Sequence, residues 1–269
     1  MAAIKVGIAG LGTIGKVIAR KLAANDVPGV ALDCVAVRDP TRAQEFLDGI
    51  GSRAHIYAIE SLAREADLVI ECAPAAAFTE IAVPVLSTGT SFMAISAGQL
   101  LERPELIALA KESGAQIIVP TGALIGLDAV TAAAEGEIHS VAMITRKPVK
   151  GLLGAPYLER RGIDIVGITE PVRIFQGSAR EAARGFPENV NVVAALALAG
   201  IGPDRTTIEI WADPTLTRNV HRVVVESDSA SFEMSIQNIP SENPKTGRIT
   251  ALSVLAALRK LRAPLRVGT

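Results

Sequence analysis

The first half of the chain repeats one pattern, in which a short apolar run leads through small or polar residues into a helical segment. The first repeat has an apolar run at 6–9, then glycines, then Ile14, Val17, Ile18 and Leu22 at helical spacing. Further apolar runs are ALDCVAVRDP (31–40), DLVIECAP (67–74), SFMAISAG (91–98) and AQIIVPTGA (115–123). Alternation of this kind is typical of parallel strands covered by helices on both faces. We therefore predict an α/β domain with a Rossmann-type, doubly wound parallel sheet.

The pattern changes after residue 125, where the apolar runs become longer and alternate with polar residues. In SFEMSIQNI (231–239), Phe232, Met234 and Ile236 share one face of an extended chain. Comparable runs are SVAMITRKP (140–148), TTIEIWAD (206–213) and HRVVVES (221–227). We predict a second α+β domain built on a mixed, largely antiparallel sheet with one covered face.

Two helical segments help to set the domain boundaries. The alanine-rich NVNVVAALALAG (189–200) belongs to the second domain, and ITALSVLAALRKL (249–261) follows a polar turn that we interpret as a hinge. We expect the last helix to return to the first domain. The predicted domains are residues 1–121 plus 243–269 for dinucleotide binding, and 122–242 for substrate binding and oligomerisation.

Composition narrows the class of protein. The 269 residues are 49% hydrophobic and 20% charged with a formal net charge of −1, which argues against disorder and against nucleic acid as a partner. No apolar stretch approaches the roughly 20 residues of a membrane span, and no signal peptide is evident, so we predict a cytoplasmic protein. Cys34 and Cys72 lie in apolar runs, as reduced buried thiols do. His55, His139 and His221 lack metal-ligand spacing, so no metal is predicted.

The glycine-rich turn is the strongest local signal. Gly10, Gly12 and Gly15 form the G-x-G-x-x-G arrangement between a strand and a helix, the order that dinucleotide binding requires. The first glycine permits a tight turn, the second lets backbone approach a pyrophosphate, and the third allows close helix packing. The alternative is a plain turn. The predicted cofactor contacts here are Gly10, Leu11, Gly12, Thr13 and Ile14.

The ends of the later strands indicate further cofactor contacts. Arg38 suits the 2′-phosphate of NADP and Asp39 the ribose hydroxyl of NAD, so the predicted cofactor is NAD or NADP; the alternative for Arg38 is a solvated surface residue. In an open parallel sheet, ligands bind at the carboxyl ends of the strands. The residues at those ends are Cys72, Ala73, Pro74, Ala97, Gly98 and Ala123, whose small side chains could equally reflect tight turns.

Five segments, in order, carry a resemblance that covers essentially the whole chain. They are VPTGALIGLDA (119–129), TRKP (145–148), FPENVNVVAALALAG (186–200), ADPTLTRNVHRVVVES (212–227) and ENPKTG (242–247). Together they resemble the L-aspartate dehydrogenase family. The sequence departs from the family pattern at Thr121, where a serine is common, and at Gly247, where a small hydroxyl residue is common; the second departure puts one substrate contact in doubt.

The resemblance implies a function and site residues. The implied reaction is NAD(P)-dependent oxidation of L-aspartate to iminoaspartate, which hydrolyses to oxaloacetate and ammonia or supplies NAD biosynthesis; the reverse reaction is reductive amination. The resemblance also implies that Ala123 and Asn189 contact the cofactor and that His221 is catalytic.

The chemistry agrees with this assignment for His221. Oxidising an amino acid at Cα requires a neutral amine and then activation of water, and histidine is the side chain that titrates near neutrality without special tuning. His221 alone of the three histidines lies in a polar stretch of the second domain. A structural role at a strand start is the alternative.

Two substrate carboxylates call for cationic or amide donors. The available groups are Arg146 and Lys147 at a strand end, Lys245 and Thr246 before the last helix, and Asn191 at a helix start. Of these we predict Lys245 and Thr246 ahead of Arg146 as substrate-binding residues, together with Asn191. Surface charges and helix capping are the alternatives.

Other functions remain open. One is a related two-domain NAD(P)-dependent reductase of another imine or aldehyde, since fold does not fix function. Another is a non-catalytic NAD(P)-binding sensor, which has no need of a histidine beside carboxylate-binding groups. A homodimer is expected because cyclic dimers are the commonest oligomers.

Overall fold

The computed structural model describes residues 2–187, 189–241 and 247–268, and the chain divides into two compact units. The first unit comprises Met1–Ser96, Arg103–Pro120 and Ala251–Arg266, and the second comprises Ala97–Glu102, Thr121–Thr250 and Val267–Thr269. The segment Ala97–Glu102 is part of the second unit, whereas the predicted first domain ran over residues 1–121.

The first unit is built on a six-stranded parallel sheet of order β3-β2-β1-β4-β5-β6. Its strands are β1 (Ile4–Ala9), β2 (Val30–Ala36), β3 (His55–Ile56), β4 (Leu68–Glu71), β5 (Ser91–Ala94) and β6 (Ile117–Ile118). Its first helices are α1 (Thr13–Ala23), α2 (Pro40–Gly49), α3 (Ile59–Glu65), α4 (Phe78–Ser87) and α5 (Pro104–Ser113). The strand order reverses between β1 and β4, and such a reversal opens a ligand crevice at the carboxyl ends of the strands. The predicted Rossmann-type sheet is confirmed.

Continuous apolar strands explain why this sheet is covered on both faces. Every residue of β4 is buried, and Val6 and Ile8 of β1 are fully buried. Helix α1 adds Ile18 and Leu22 from one face to the same core.

The second unit is built on a five-stranded sheet of order β11-β10-β7-β9-β8. Its strands are β7 (Ile138–Lys147), β8 (Val172–Ser178), β9 (Thr206–Ala212), β10 (Asn219–Ser227) and β11 (Ser231–Asn238). Strands β7 and β9 are parallel and the other neighbours are antiparallel, which confirms the predicted mixed, largely antiparallel sheet. Its helices are α6 (Leu127–Ala133), α7 (Pro156–Arg161), α8 (Ala179–Gly185) and α9 (Asn191–Ala199).

Alternation along these strands gives the sheet one covered face. On β7, Val141, Met143, Thr145 and Lys147 are buried, whereas Arg146 between the last two is exposed. Helix α9 is buried from Val192 to Ala197 and contacts β9. Polar residues that fall on the covered face are therefore held inside the unit.

The chain ends with α10 (Ile249–Arg262), which belongs to the first unit from Ala251 onward. Its residues Val254, Leu255 and Leu258 are part of the core that holds β1 and α1. Within the described ranges, no helix is both long and apolar enough to cross a bilayer.

Candidate active site

The glycine-rich turn between β1 and α1 has the geometry of a phosphate cradle. Gly10 has a φ of +100°, and a Cβ added at Gly15 would lie 2.1 Å from the carbonyl oxygen of Gly10. A Cβ at Gly12 would have its nearest neighbour, the carbonyl oxygen of Cys72, at 3.9 Å, so the space beside Gly12 is open. Helix α1 starts without a side-chain cap, which leaves its first N–H groups for a ligand. These features fit the pyrophosphate of a dinucleotide.

At the end of β2, Arg38 and Asp39 are both exposed. Asp39 also caps α2, because its side chain accepts a hydrogen bond from the backbone N–H of Arg42 at 3.1 Å. The cap fixes the carboxylate at the point where β2 gives way to α2. Capping was not part of the role predicted for Asp39.

A buried carboxylate joins the ends of β4 and β5. Glu71 is 0% exposed, and its side chain accepts hydrogen bonds from the backbone N–H of Ser96 at 2.8 Å and from Ser96 Oγ at 3.1 Å. Burial raises the pKa of Glu71 to about 7 although the bonds from Ser96 lower it. Burial likewise raises the pKa of the neighbouring Cys72 thiol. Glu71 was not predicted as a site residue, because in the sequence it is only the last position of an apolar strand.

In the second unit, His221 lies inside strand β10 and is 2% exposed, so it is not the loop residue that the polar sequence around it indicated. It pairs with Thr145 across the antiparallel strands β10 and β7, with His221 Nδ1 3.1 Å from Thr145 Oγ1. Burial, and secondarily the charge of Lys147, lowers the pKa of His221 to about 3. The imidazole is therefore neutral near pH 7.

Lys147, the last residue of β7, is 4% exposed. Its ammonium donates hydrogen bonds to the carbonyl oxygen of Asn189 at 3.0 Å and to Asn189 Oδ1 at 2.9 Å. Asn189, predicted to contact the cofactor, thus holds a buried lysine. A lysine at a strand end gives no signal of burial in the sequence, and its depth follows from the face of β7 on which it falls.

Two hydrogen bonds connect other predicted site residues to loops of this unit. The backbone N–H of Gly98, next to Ala97, donates to Asn191 Oδ1 at 3.1 Å. The carbonyl oxygen of Ala123 accepts a hydrogen bond from Asn238 Nδ2 at 2.8 Å. Asn191 therefore anchors the segment Ala97–Glu102 instead of capping α9.

The other residues predicted to bind the substrate are Arg146, Lys245 and Thr246. Arg146 points to the face of β7 opposite His221, where its guanidinium lies 5.2 Å from the centroid of the Trp211 ring and 3.6 Å from the Asp213 carboxylate. Arg146 and His221 therefore lie on opposite faces of the sheet, because side chains alternate along a strand. Lys245 and Thr246 lie outside the described residues. Among the residues that are described, no group of three or more potential metal ligands occurs.

An open glycine turn at the carboxyl end of a parallel strand is the dinucleotide-binding element of pyridine-nucleotide-dependent oxidoreductases. Residues 10–120 match the family model "Homoserine dehydrogenase, NAD binding domain", and residues 128–261 match "Aspartate dehydrogenase, C-terminal".

Similar proteins identify the family to which the chain belongs. The chain is 56% identical to an L-aspartate dehydrogenase of Bradyrhizobium diazoefficiens, over 99% of this chain and 94% of that protein. It is also 56% identical to L-aspartate dehydrogenase 3 of Bordetella bronchiseptica, over 98% and 97%. The crystal structure of aspartate dehydrogenase from Thermotoga maritima shares the fold, with a TM-score of 0.71 at 23% identity over 98% of this chain and 99% of that one. The chain belongs to the aspartate dehydrogenase family.

Proposed function

We propose that this chain catalyses the NAD(P)-dependent oxidation of L-aspartate to iminoaspartate, which water converts to oxaloacetate and ammonia. The observation that carries the proposal is the buried imidazole of His221, held by Thr145 beside Lys147 in a chain of this family. The relatives are named for this substrate. We further propose that the iminoaspartate supplies NAD biosynthesis.

The proposed role of His221 is proton exchange with the substrate nitrogen and with the water that attacks the imine carbon. For Nε2 to accept a proton, Nδ1 must carry hydrogen and donate it to Thr145 Oγ1, and the 3.1 Å separation allows this bond. The bond also fixes the plane of the ring. When bound, the oxidised nicotinamide supplies the hydride acceptor.

The residues of the glycine turn and of the strand ends that were predicted to contact the cofactor are also the contacts proposed here. The open side of Gly12 and the uncapped start of α1 support pyrophosphate binding there. Arg38 and Asp39 support NADP and NAD respectively, so NAD or NADP is proposed. Ala97, Gly98, Ala123 and Asn189 complete the set in the second unit. Lys245, Thr246, Asn191 and Arg146 stay predictions as substrate contacts.

We propose a cytoplasmic homodimer. The face of the second sheet opposite His221 carries Ile144, Val220, Val224 and Trp211, which are all partly exposed. Apolar side chains on an open sheet face suit a contact with a second copy. The mass in solution, measured by light scattering, tests the assembly.

The test of the activity is a substrate screen of the purified protein. L-aspartate, L-glutamate, L-homoserine and L-malate are each supplied with NAD⁺ and with NADP⁺, and reduced nicotinamide is followed by absorbance. Only L-aspartate should give rapid reduction. Turnover with another of these substrates and none with L-aspartate would favour a related reductase, and cofactor binding without any turnover would favour a sensor.

The matched variants are His221→Ala and His139→Ala. Loss of a positioned acid–base group should lower kcat by at least about 100-fold with little change in cofactor affinity. His139 has a side chain 54% exposed on the same sheet, so its variant should keep wild-type turnover. Full activity in His221→Ala would refute the assigned role.

A further inference from the structure

Glu71 ends strand β4 inside the first unit, where its carboxylate collects hydrogen bonds from two directions. The residue is 0% exposed. It accepts from the backbone N–H of Ser96 at 2.8 Å and from Ser96 Oγ at 3.1 Å. Backbone hydrogen bonds from Ile95 and Ala73 also lower its pKa, so these groups favour the ionised form. Donors that follow β4 and donors that follow β5 therefore converge on one carboxylate.

These donors lie at the carboxyl ends of the strands, where a parallel sheet binds its ligand. Residues 72–74 are named the β4 turn, and residues 95–96 the β5 turn. The β4 turn consists of proposed cofactor contacts, and the β5 turn leads directly to Ala97 and Gly98, which are two more. Glu71 thus fixes the separation of two turns on which cofactor binding depends.

The β4 turn is also packed against the glycine turn. The backbone N–H of Cys72 donates to the carbonyl oxygen of Ala9 at 2.8 Å. A Cβ added at Gly10 would lie 2.8 Å from the carbonyl oxygen of Cys72, and one added at Gly15 would lie 3.3 Å from Cys72 Cβ. In such close packing, a shift of the β4 turn displaces the glycine turn. The hydrogen bonds of Glu71 therefore support the phosphate cradle as well.

The strand neighbours of Glu71 are uncharged. It pairs with Ala9 on β1 and with Ala94 on β5, and helix α4, which contacts β4, buries Ile81 and other apolar residues. The titratable group next to it is the thiol of Cys72, whose pKa is raised by burial and by the charge of Glu71. In the described part of the chain no cation pairs with Glu71, so neutral donors hold the carboxylate.

We propose that Glu71 is a positioning residue for the dinucleotide, which holds the β4 turn and the β5 turn at the spacing that cofactor binding requires. This rests on the cofactor contacts of the proposed function. A carboxylate suits the role because it presents only acceptors, and its two oxygens can receive all of these donors. The neutral acid holds the turns less firmly, because one of its oxygens carries a proton.

The positioning role links cofactor binding to ionisation of the carboxyl group. Burial sets the pKa of Glu71 at about 7 in the free protein. Lowering the pH from 8 to 6 therefore converts most of the carboxylate to the weaker acceptor. Cofactor affinity should fall over this range, and binding of the cofactor should favour the ionised form.

The experiment measures cofactor binding instead of turnover. Dissociation constants for NADH and NADPH are measured by nicotinamide fluorescence between pH 6 and pH 8 for wild type, Glu71→Gln, Glu71→Met and Ser96→Ala. Val69→Ala is the matched control, because Val69 is a fully buried residue of the same strand. Its truncation destabilises the unit but leaves the hydrogen bonds of both turns in place. Circular dichroism reports whether each variant folds, and thermal unfolding reports its stability.

At pH 8 we expect Glu71→Met to weaken binding of the preferred cofactor by at least about 10-fold, because every donor then loses its acceptor. Ser96→Ala keeps the backbone N–H and should cost about threefold, and Glu71→Gln should lie between these two. Val69→Ala should bind within about twofold of wild type in spite of a lower Tm. Between pH 8 and pH 6 wild type should lose about threefold more affinity than Glu71→Gln.

Wild-type cofactor affinity in a folded Glu71→Met overturns the proposal. An equal loss in Val69→Ala also overturns it, since general destabilisation would then explain both results. The same pH dependence in wild type and in Glu71→Gln does so as well. If neither Glu71 variant folds, Ser96→Ala decides, because wild-type affinity in that variant contradicts the role.

Failure of the proposed function looks different. Wild type would then bind the cofactor, and the substitutions would weaken that binding as expected, but L-aspartate would not be oxidised. A wild-type protein that binds neither NADH nor NADPH overturns both proposals.

Discussion

His221 Nδ1 and Thr145 Oγ1 lie 3.1 Å apart on directly opposed positions of strands β10 and β7. Both residues are at most 2% exposed, so the bond is shielded from water and the ring has one supported orientation. The imidazole is thus set by the sheet register and not by a flexible loop.

Thr145→Val tests the importance of this bond. Valine has nearly the shape of threonine but no hydroxyl, so Nδ1 loses its partner and the ring loses its fixed orientation and tautomer. We expect kcat for L-aspartate to fall by about 10-fold or more with cofactor affinity unchanged, measured by steady-state kinetics and fluorescence binding.

Thr145→Ser is the control, because it keeps the hydroxyl and should stay within about threefold of wild type. A Thr145→Val enzyme with wild-type kcat would show that the ring needs no such support.

His221 also makes stability depend on pH. Its pKa is about 3 in the folded chain against an ordinary 6.5, so the unfolded chain binds more protons between these values and stability is lost as pH falls below 6.5. Relative to His221→Gln, the free energy of unfolding of wild type should drop by about 2 kcal/mol between pH 7 and pH 5. Urea unfolding followed through Trp211, the sole tryptophan and a residue of the same unit, measures this.

The comparison between the two proteins removes the effect of every other titrating group. Parallel stability curves for wild type and His221→Gln over this pH range would contradict a buried neutral imidazole.

The glycine turn yields a prediction in which two similar substitutions differ. Gly12→Ala adds a methyl group to open space, so the protein should fold with wild-type stability but lose cofactor affinity by at least about 10-fold, since the methyl group occupies the pyrophosphate position. Gly15→Ala places the methyl group 2.1 Å from a backbone oxygen and should destabilise the first unit itself. Thermal unfolding and cofactor titration separate the two effects.

A Gly12→Ala protein that binds NAD(P) normally would argue against this cradle. Gly49→Ala is the control, because a Cβ at Gly49 has no atom within 4 Å.

Much of the fold was predictable because the signals are local. The strand, glycine turn and helix at β1 and α1 follow one another directly, and alternation in β11 gave the right face for Phe232, Met234 and Ile236. Two strands were missed. β3 has only two residues, and β8 contains a glycine and an irregular register, so neither shows a clear period.

The site was harder to predict because its contacts are long-range. His221 and Thr145 are 76 residues apart, and Lys147 and Asn189 are 42 apart, so their meeting depends on strand pairing that no motif encodes. Arg146 and Lys147 look alike in the sequence, but alternation exposes the first and buries the second. Only the register of β7 distinguishes them.

Glu71 gives the last prediction. Its pKa is about 7 in the folded chain against 4.5 ordinarily, so the folded chain binds more protons between these values and stability is lost as pH rises through them. The variant Glu71→Gln carries an uncharged amide that can keep both contacts to Ser96, accepting from the backbone N–H and donating to Oγ. Relative to that variant, wild type should lose up to about 3 kcal/mol of protection between pH 4.5 and pH 7, read from hydrogen exchange of the β4 amides. Glu45→Gln, an exposed position on α2, should leave the wild-type pH dependence intact. If the protection of the β4 amides depended on pH equally in wild type and in Glu71→Gln, the folded chain would tolerate the charge. The Glu71 carboxylate that connects β4 and β5 would then be ionised throughout this pH range.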